Sequence, residues 1–256
     1  MWLVGKATML NSNVAENAAG LAELEKYPIV SWEYPRVLVG IPLERAISYA
    51  DKVFWNFMNI AQGYPAFIER PYMRIDLYRN FAAQDLLVSD FTHLLMLDID
   101  HKHPVDIVQR LARWPVLFPE VRVVSAMAFR RQAPFDPVMG NLTEQGARPI
   151  PTHWNEGLTK VDEVGNAAIL IHRSVFEDIE PPWFTNEYDK VWSNNWPGED
   201  IGFCHKCKKA GISIYVDTTT ETPHCNEGLV MEKDFRNYMD IHPEQFREAQ
   251  TEAQNG

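Results

Sequence analysis

Two aspartates, Asp98 and Asp100, follow directly on the apolar run Leu94-Leu95-Met96-Leu97. Residues two apart along an extended chain point to the same side, roughly 6–7 Å apart. Carboxylates held that close repel each other unless a cation or hydrogen-bond donors compensate them. Hard oxygen ligands with open coordination positions suit Mg2+ or Mn2+ holding substrate phosphates. A second acidic pair, Glu199-Asp200, follows Pro197-Gly198 and opens a run of helical character. Acids in a first turn favour a helix N-terminus by about 0.3–1 kcal/mol. A carboxylate there can also take a proton from a substrate hydroxyl. Arg79, Arg130 and Arg131 are candidate partners for phosphate. Arg79 has acid pairing or helix packing as its alternatives, and of the adjacent Arg130 and Arg131 at most one is expected in a site, because neighbouring side chains diverge.

Cys204, Cys207, His224 and Cys225 have the composition of a zinc site. Against that, Cys204 and Cys207 fall one turn apart inside the expected helix over 199–210, where small thiols pack. His101 and His103 flank the aspartate pair and are expected to support it from behind, with His103 belonging to the loop that ends at Pro104. Four of the eight tryptophans, Trp154, Trp183, Trp192 and Trp196, lie in a loop-rich second half. Aromatic faces stack on sugars and bases, and packing into a small core is the alternative for each. Trp196, three residues before Glu199, is the leading candidate for an acceptor platform, with Trp183 and Trp154 behind it.

These residues need a frame to bring them together. Val37 to Ile41, Ala66 to Ile68, Thr92 to Leu97 and Arg122 to Ala126 are short apolar runs of the kind that form buried parallel strands. Helical spacing is expected over 43–62, 75–88 and 105–113, so strands and helices alternate through the first half. That alternation indicates an α/β domain with a mainly parallel sheet and right-handed crossovers. In the second half a strand pair is expected over 161–171, broken at Gly165-Asn166, with a loop over 183–197, the helix 199–210 and a last strand over 212–216. Residues 13–26 are expected as a short amphipathic helix, and the tail from Pro243 as an exposed one. One domain is expected, with a peripheral segment 1–35, a nucleotide-sugar-binding half 36–130, an acceptor and catalytic half 131–228, and a tail 229–256.

Leu94-Leu95-Met96-Leu97-Asp98-Ile99-Asp100, with His101 and Pro104 after it, resembles the Asp-x-Asp region of GT-A glycosyltransferases, particularly bacterial and phage members of the family-2 type. Arg79-Asn80 resembles their Ala-Arg-Asn helix, with Tyr78 in place of the usual Ala, and Pro197-Gly198-Glu199-Asp200 resembles their Gly-Glu-Asp motif. His224 stands where many carry a third metal ligand. The likeness runs from about Val37 to about Glu227 and leaves both termini outside. It implies a GT-A fold and a nucleotide-sugar donor, with UDP the default, bound across the carboxyl edge of the sheet. The base of the donor would lie near Ile41, Pro42 and Arg45. Asp98 would face the ribose or a metal-bound water, Ile99 would line the donor site, and Asp100 with His224 would hold Mn2+ or Mg2+. Asp200 would be the base of an inverting transfer and Glu199 its neighbour on the acceptor. A retaining transferase, a sugar nucleotidyltransferase, and a carbohydrate- or nucleic-acid-binding module without catalysis are the alternatives.

No Gly-x-x-x-x-Gly-Lys loop and no Gly-x-Gly-x-x-Gly after the first strand is present, which excludes a P-loop and argues against a dinucleotide fold. A net charge of −11 argues against a broad nucleic-acid footprint. The acceptor stays open among a glycan, a lipid-linked sugar, a small metabolite and a modified nucleobase. Three cysteines are too few for a disulfide framework. With no apolar stretch of the roughly 20 residues that span a bilayer, a soluble, cytoplasmic protein is expected.

Overall fold

A run such as Leu94-Leu95-Met96-Leu97, with no alternating polar position, suits a strand covered on both faces. The computed structural model describes residues 34–42, 60, 67–68, 73–144, 148–186, 198–226 and 228–246. In chain order it contains β1 (Val37–Gly40), β2 (Phe67–Ile68), α1 (Ile75–Val88), β3 (His93–Leu97), α2 (Ile107–Leu117), β4 (Val123–Met127), β5 (Met139–Gly140), β6 (Leu158–Val161), β7 (Glu163–Val164), β8 (Ala168–His172), α3 (Arg173–Asp178), α4 (Glu199–Lys209), β9 (Ile214–Glu221), β10 (His224–Cys225), β11 (Leu229–Val230) and α5 (Glu232–Ile241), then a 3-10 turn, Pro243–Phe246. Seven strands form one sheet in the order β2-β1-β3-β8-β4-β9-β6. β1 is parallel to β2 and β3, and β4 to β9, while β8 and β6 run against their neighbours. Five of the seven strands therefore point one way, the mainly parallel α/β sheet expected from the alternation of strands and helices.

Successive strand residues enter opposite layers. Leu38, Leu94, Met96, Ile169 and Ile171 join a core with Tyr78, Ala82 and Leu86 of α1 and Phe203 of α4. Val37, Val39, Leu95, Leu97 and Leu170 join the other, with Ile107, Val108 and Leu111 of α2. Helices thus cover both faces. Close approach of α1 depends on Gly40, where a Cβ would stand 3.0 Å from the Tyr78 hydroxyl oxygen.

Several elements differ from expectation. β7 and β8 do not pair with each other: β7 pairs with β5, and β8 inserts between β3 and β4. The α2 helix continues through Pro115, since the Phe118 N–H still reaches the Trp114 carbonyl at 2.8 Å. β9 runs on to Glu221, and α5 had no expected counterpart. Of the helix expected over 43–62 only Ile60 is described, helical and buried. The helix expected over 13–26, residues 187–197 and the tail beyond 246 lie outside the described residues. No helix among the described residues is long and apolar enough to cross a membrane.

His93 opens β3 opposite His172 of β8, with ring centroids 4.7 Å apart. Its Nε2 is buried without a hydrogen-bond partner among the described residues. Burial, helped by His172, pulls its pKa down from 6.5 to about 3. A depressed histidine pKa means the unfolded chain takes the proton more readily. Stability is therefore complete above about pH 6.5 and is lost as pH falls towards 3. His93→Gln should flatten the acid limb of the stability curve by roughly 1.4 kcal/mol per pH unit. Denaturation of both proteins across that window checks this, and parallel curves would contradict it.

Candidate functional site

Because β1, β3, β4 and β9 run the same way, the residues that follow each of them gather at one edge of the sheet, where ligands bind in open α/β folds. Ile41 and Pro42 follow β1 and are buried. Asp98 to His101 follow β3, Ala128 to Arg131 follow β4, and Thr222 to His224 follow β9. The loop entering β8 reaches the same edge, where the Asp98 N–H donates to the Ala167 carbonyl at 2.9 Å. A Cβ on Gly165 would lie 2.5 Å from Val138 Cγ1 and 3.7 Å from Asp200 Oδ2. Glycine thus lets this loop pass Val138 and sets the start of α4 beside it.

His101 and His224 meet through an isolated antiparallel bridge. The Lys102 N–H donates to the Pro223 carbonyl at 2.9 Å and the Cys225 N–H to the Asp100 carbonyl at 2.7 Å. The two rings stack with centroids 4.0 Å apart. His101 Nδ1 lies 2.9 Å from the Thr222 carbonyl oxygen, and His224 Nδ1 lies 3.0 Å from that of Phe129. A carbonyl only accepts, so each Nδ1 carries a proton, and Nε2 is the acceptor of the neutral ring, the role in which Arg131 Nε meets it at His224. Both Nε2 atoms approach Asp100, His224 at 3.3 Å from Oδ2 and His101 at 3.8 Å from Oδ1. One ligand atom from each of the three residues lies within 4.8 Å of the others. Ligands about 2.1 Å from one ion are at most about 4.2 Å apart, so small side-chain rotations complete the set.

The donor set also attracts a cation. Arg131 donates from Nη2 to Asp100 Oδ2 at 2.6 Å and from Nε to His224 Nε2 at 3.0 Å. Burial would raise the Asp100 pKa, but His224, His101 and Arg131 outweigh it and hold the carboxyl down at about 2. Burial, with His224 adding to it, pulls His101 down to about 3. At neutral pH the pocket therefore presents an ionised carboxylate and a neutral His101 imidazole. These are ligands suited to a divalent ion, and backbone carbonyls orient both rings from behind.

Asp98 stands apart from this cluster, which corrects its expected place among the metal ligands. Arg79 Nη2 donates to both Asp98 oxygens, at 3.0 and 3.3 Å, and Arg79 Nε lies 3.2 Å from Glu199 Oε1. Burial works against the Arg79 charge, but Asp98, Glu199 and Asp200 outweigh it and keep its pKa raised. Only 4% exposed, Arg79 clamps acids together, the acid pairing that stood as an alternative to a donor contact. Burial, opposed by Arg79 and aided by Asp100 and Glu199, pushes Asp98 up to about 7. His103, also buried, holds the Asp98 carbonyl through Nε2 at 2.8 Å. Asp200 sits in the first turn of α4, and its Oδ1 accepts the Ile201 N–H at 2.8 Å.

The aromatic candidates divide. Trp183 is buried, and its indole N–H lies 2.9 Å from the carbonyls of Phe176 and Ile179. A stacking platform needs an open face, so Trp183 belongs to the core and not to an acceptor surface. The partly buried ring of Trp154 packs on Phe129 and Phe235 and lies under the Arg236 guanidinium, which docks α5. Trp196 and Arg45 lie outside the described residues. Ile99 is partly buried against the α2-side core. Arg130 is half-exposed and pairs with Asp136 at 3.4 Å. Cys204 and Cys207 sit in the α4-side core and Cys225 in the other, so the three thiols share no metal position.

Sequence reasoning gave His101 only a supporting role. Its place among the ligand atoms depends on a bridge to a residue far along the chain, for which the sequence carries no local signal. In the sequence Asn166 stands out only as the break, with Gly165, between two apolar runs. It is 2% exposed, its side-chain nitrogen and oxygen have no hydrogen-bond partner among the described residues, and its carbonyl lies 3.5 Å from Arg79 Nη1. Buried amides are nearly always paired, so this one marks a place for a ligand or water.

No protein-family model matches the sequence, and no curated protein sequence matches it. Among solved structures the chain is similar to A197 from STIV, with a TM-score of 0.52 and 16% identity over 75% of this chain and 86% of that one. It is more loosely similar to GalNAc-T7 solved with UDP, GalNAc and Mn2+, with a TM-score of 0.46 and 11% identity over 74% of this chain and 43% of that one. A UDP-glucose pyrophosphorylase complexed with UDP-glucose gives a TM-score of 0.41 and 9% identity, over 81% of each chain. At 16% identity the first likeness speaks to fold alone: over three quarters of its length this chain has the fold of A197.

Proposed function

We propose that this chain is a metal-dependent glycosyltransferase that moves a sugar from a nucleoside diphosphate donor to a hydroxyl acceptor, with inversion. The observation that carries the reading is the convergence of Asp100, His101 and His224 at the carboxyl edge of the sheet, on a spot that already draws in a guanidinium. Asp100, His101 and His224 would hold Mn2+ or Mg2+, which would supply Lewis-acid stabilisation of the charge on the departing diphosphate. Asp98, fixed by Arg79, meets the ribose, while Ile41, Pro42 and Arg45 flank the base and Ile99 and Arg130 border the donor. The unpaired amide of Asn166 takes hydroxyls of the donor sugar. Asp200 accepts the proton of the acceptor hydroxyl, Glu199 is held in place by Arg79, and Trp196 supplies the acceptor platform. UDP and the inverting course follow from the Asp-x-Asp and Gly-Glu-Asp resemblance.

A panel of nucleotide-sugars assayed with Mn2+ tests this, because slow donor hydrolysis needs no knowledge of the acceptor. The expected result is release of a nucleoside diphosphate, UDP before others, which chelator abolishes. Release of pyrophosphate from a nucleoside triphosphate and a sugar phosphate would turn the reading to a nucleotidyltransferase. Failure to bind or consume any donor would contradict it.

A further inference from the structure

We propose that Arg131 is the exchangeable cation of this centre: a divalent ion and the Arg131 guanidinium compete for Asp100 and His224, and the displaced guanidinium turns into the adjoining cleft to hold an anionic oxygen of the ligand. This rests on the metal centre proposed above. His224 has its Nδ1 committed to the Phe129 carbonyl, and its Nε2, which accepts from Arg131, has one lone pair to offer. That lone pair accepts from Arg131 Nε at 3.0 Å, and Asp100 Oδ2 accepts from Nη2 of the same guanidinium at 2.6 Å. One lone pair serves one partner. Arg131 and a metal ion therefore exclude each other at His224, whatever room the pocket has.

The guanidinium has a place to go. The Arg131 side chain is 39% exposed and sits on the loop after β4. It lines an open cleft of about 450 Å3 together with Arg130, Gln132, Pro134, Asp136 and Ile150. Because Arg131 lines the cleft, rotation of its side chain would bring the charge from the ligand cluster into it. A guanidinium fork matches phosphate oxygens better than an ammonium does. An anionic ligand that meets Arg131 in the cleft compensates the contacts given up at Asp100 and His224. Metal and anion therefore bind with positive coupling, each favouring the state in which Arg131 has moved.

Mn2+ binding to chelator-treated protein, followed by electron paramagnetic resonance of the free ion, tests the exchange without any reaction. Arg131→Gln should bind Mn2+ alone roughly tenfold more tightly than wild type, the worth of one charge-assisted hydrogen bond. Arg131→Lys should fall between the two, since an ammonium competes without the two-donor fork. With Mn2+ saturating, UDP should bind Arg131→Gln roughly tenfold more weakly than wild type. Equal or weaker Mn2+ affinity in Arg131→Gln, with binding still lost in Asp100→Ala, would overturn the exchange and leave the metal centre standing. No Mn2+ binding by either wild type or Arg131→Gln would remove the centre itself. Tighter Mn2+ binding with unchanged UDP affinity would overturn the role given to the cleft. Melting curves of both variants show whether the fold is intact.

Discussion

Asp200→Asn should slow sugar transfer by at least about a hundredfold while the protein melts close to the wild-type temperature. A neutral hydroxyl is a poor nucleophile, and a positioned base contributes roughly 10²–10⁴ in rate. Asp200 is suitably held for that task. Its Oδ1 is tied to the Ile201 N–H, and the glycines on either side make room: a Cβ on Gly198 would stand 2.8 Å from Oδ1, and one on Gly165 3.7 Å from Oδ2. Asparagine has the same shape, and its oxygen can keep the Ile201 bond, so the substitution removes basicity and charge but little else. If Asp200 served only the helix terminus, the variant would lose about 0.3–1 kcal/mol of stability and no specific rate. The product should also carry the anomeric configuration opposite to the donor's, which NMR of the purified product reads. Near-normal transfer by Asp200→Asn would remove the base assignment, and retained configuration would remove the inverting course.

Asp100→Ala should be the most damaging change at the metal. Asp100 is the carboxylate of the ligand set, beside two imidazoles. Loss of a group behind a ligand typically costs 10–100-fold in metal affinity, so loss of the charged ligand itself should cost at least about a hundredfold. Metal charge stabilisation is worth several kcal/mol in a transition state, which corresponds to roughly a thousandfold in rate. His224→Ala should be milder and recoverable, with activity returning at higher Mn2+ concentration. The Asp100 side chain is 27% exposed, so its removal leaves no buried hole and the fold should persist. Metal titration of turnover in the three proteins checks the order. Equal metal dependence across them would exclude this cluster.

How much of this was legible in sequence follows the range of the interactions involved. The α1 boundaries, Ile75 to Val88, were readable because helical spacing is local, and β3 because a strand buried on both faces is apolar throughout. The aspartate pair was readable as a site because it ends such a strand. Its division of labour was not, since Asp98 turns to Arg79 only once α1 is docked and the loop before β8 is in place. The direction of β8 was equally hidden: Ala168-Ile169-Leu170-Ile171 is apolar whichever way it runs. α5 does carry a local signal, Phe235, Tyr238 and Met239 at i, i+3 and i+4 on its core-facing side, although no helix was expected there. His101 and Arg131 enter the site through contacts to a segment more than ninety residues away, as the 121-residue and 93-residue separations of their His101–Thr222 and Arg131–His224 bonds make plain.

Anomalous diffraction at the manganese edge, from crystals grown with Mn2+ and UDP, tests the metal centre most directly. The expected map has one strong peak about 2.1 Å from an Asp100 oxygen and from His224 Nε2, with His101 Nε2 turned towards it and the Arg131 guanidinium withdrawn. A map with UDP bound and no peak between Asp100 and His224 would contradict the account, as would a peak held by Cys204 and Cys207.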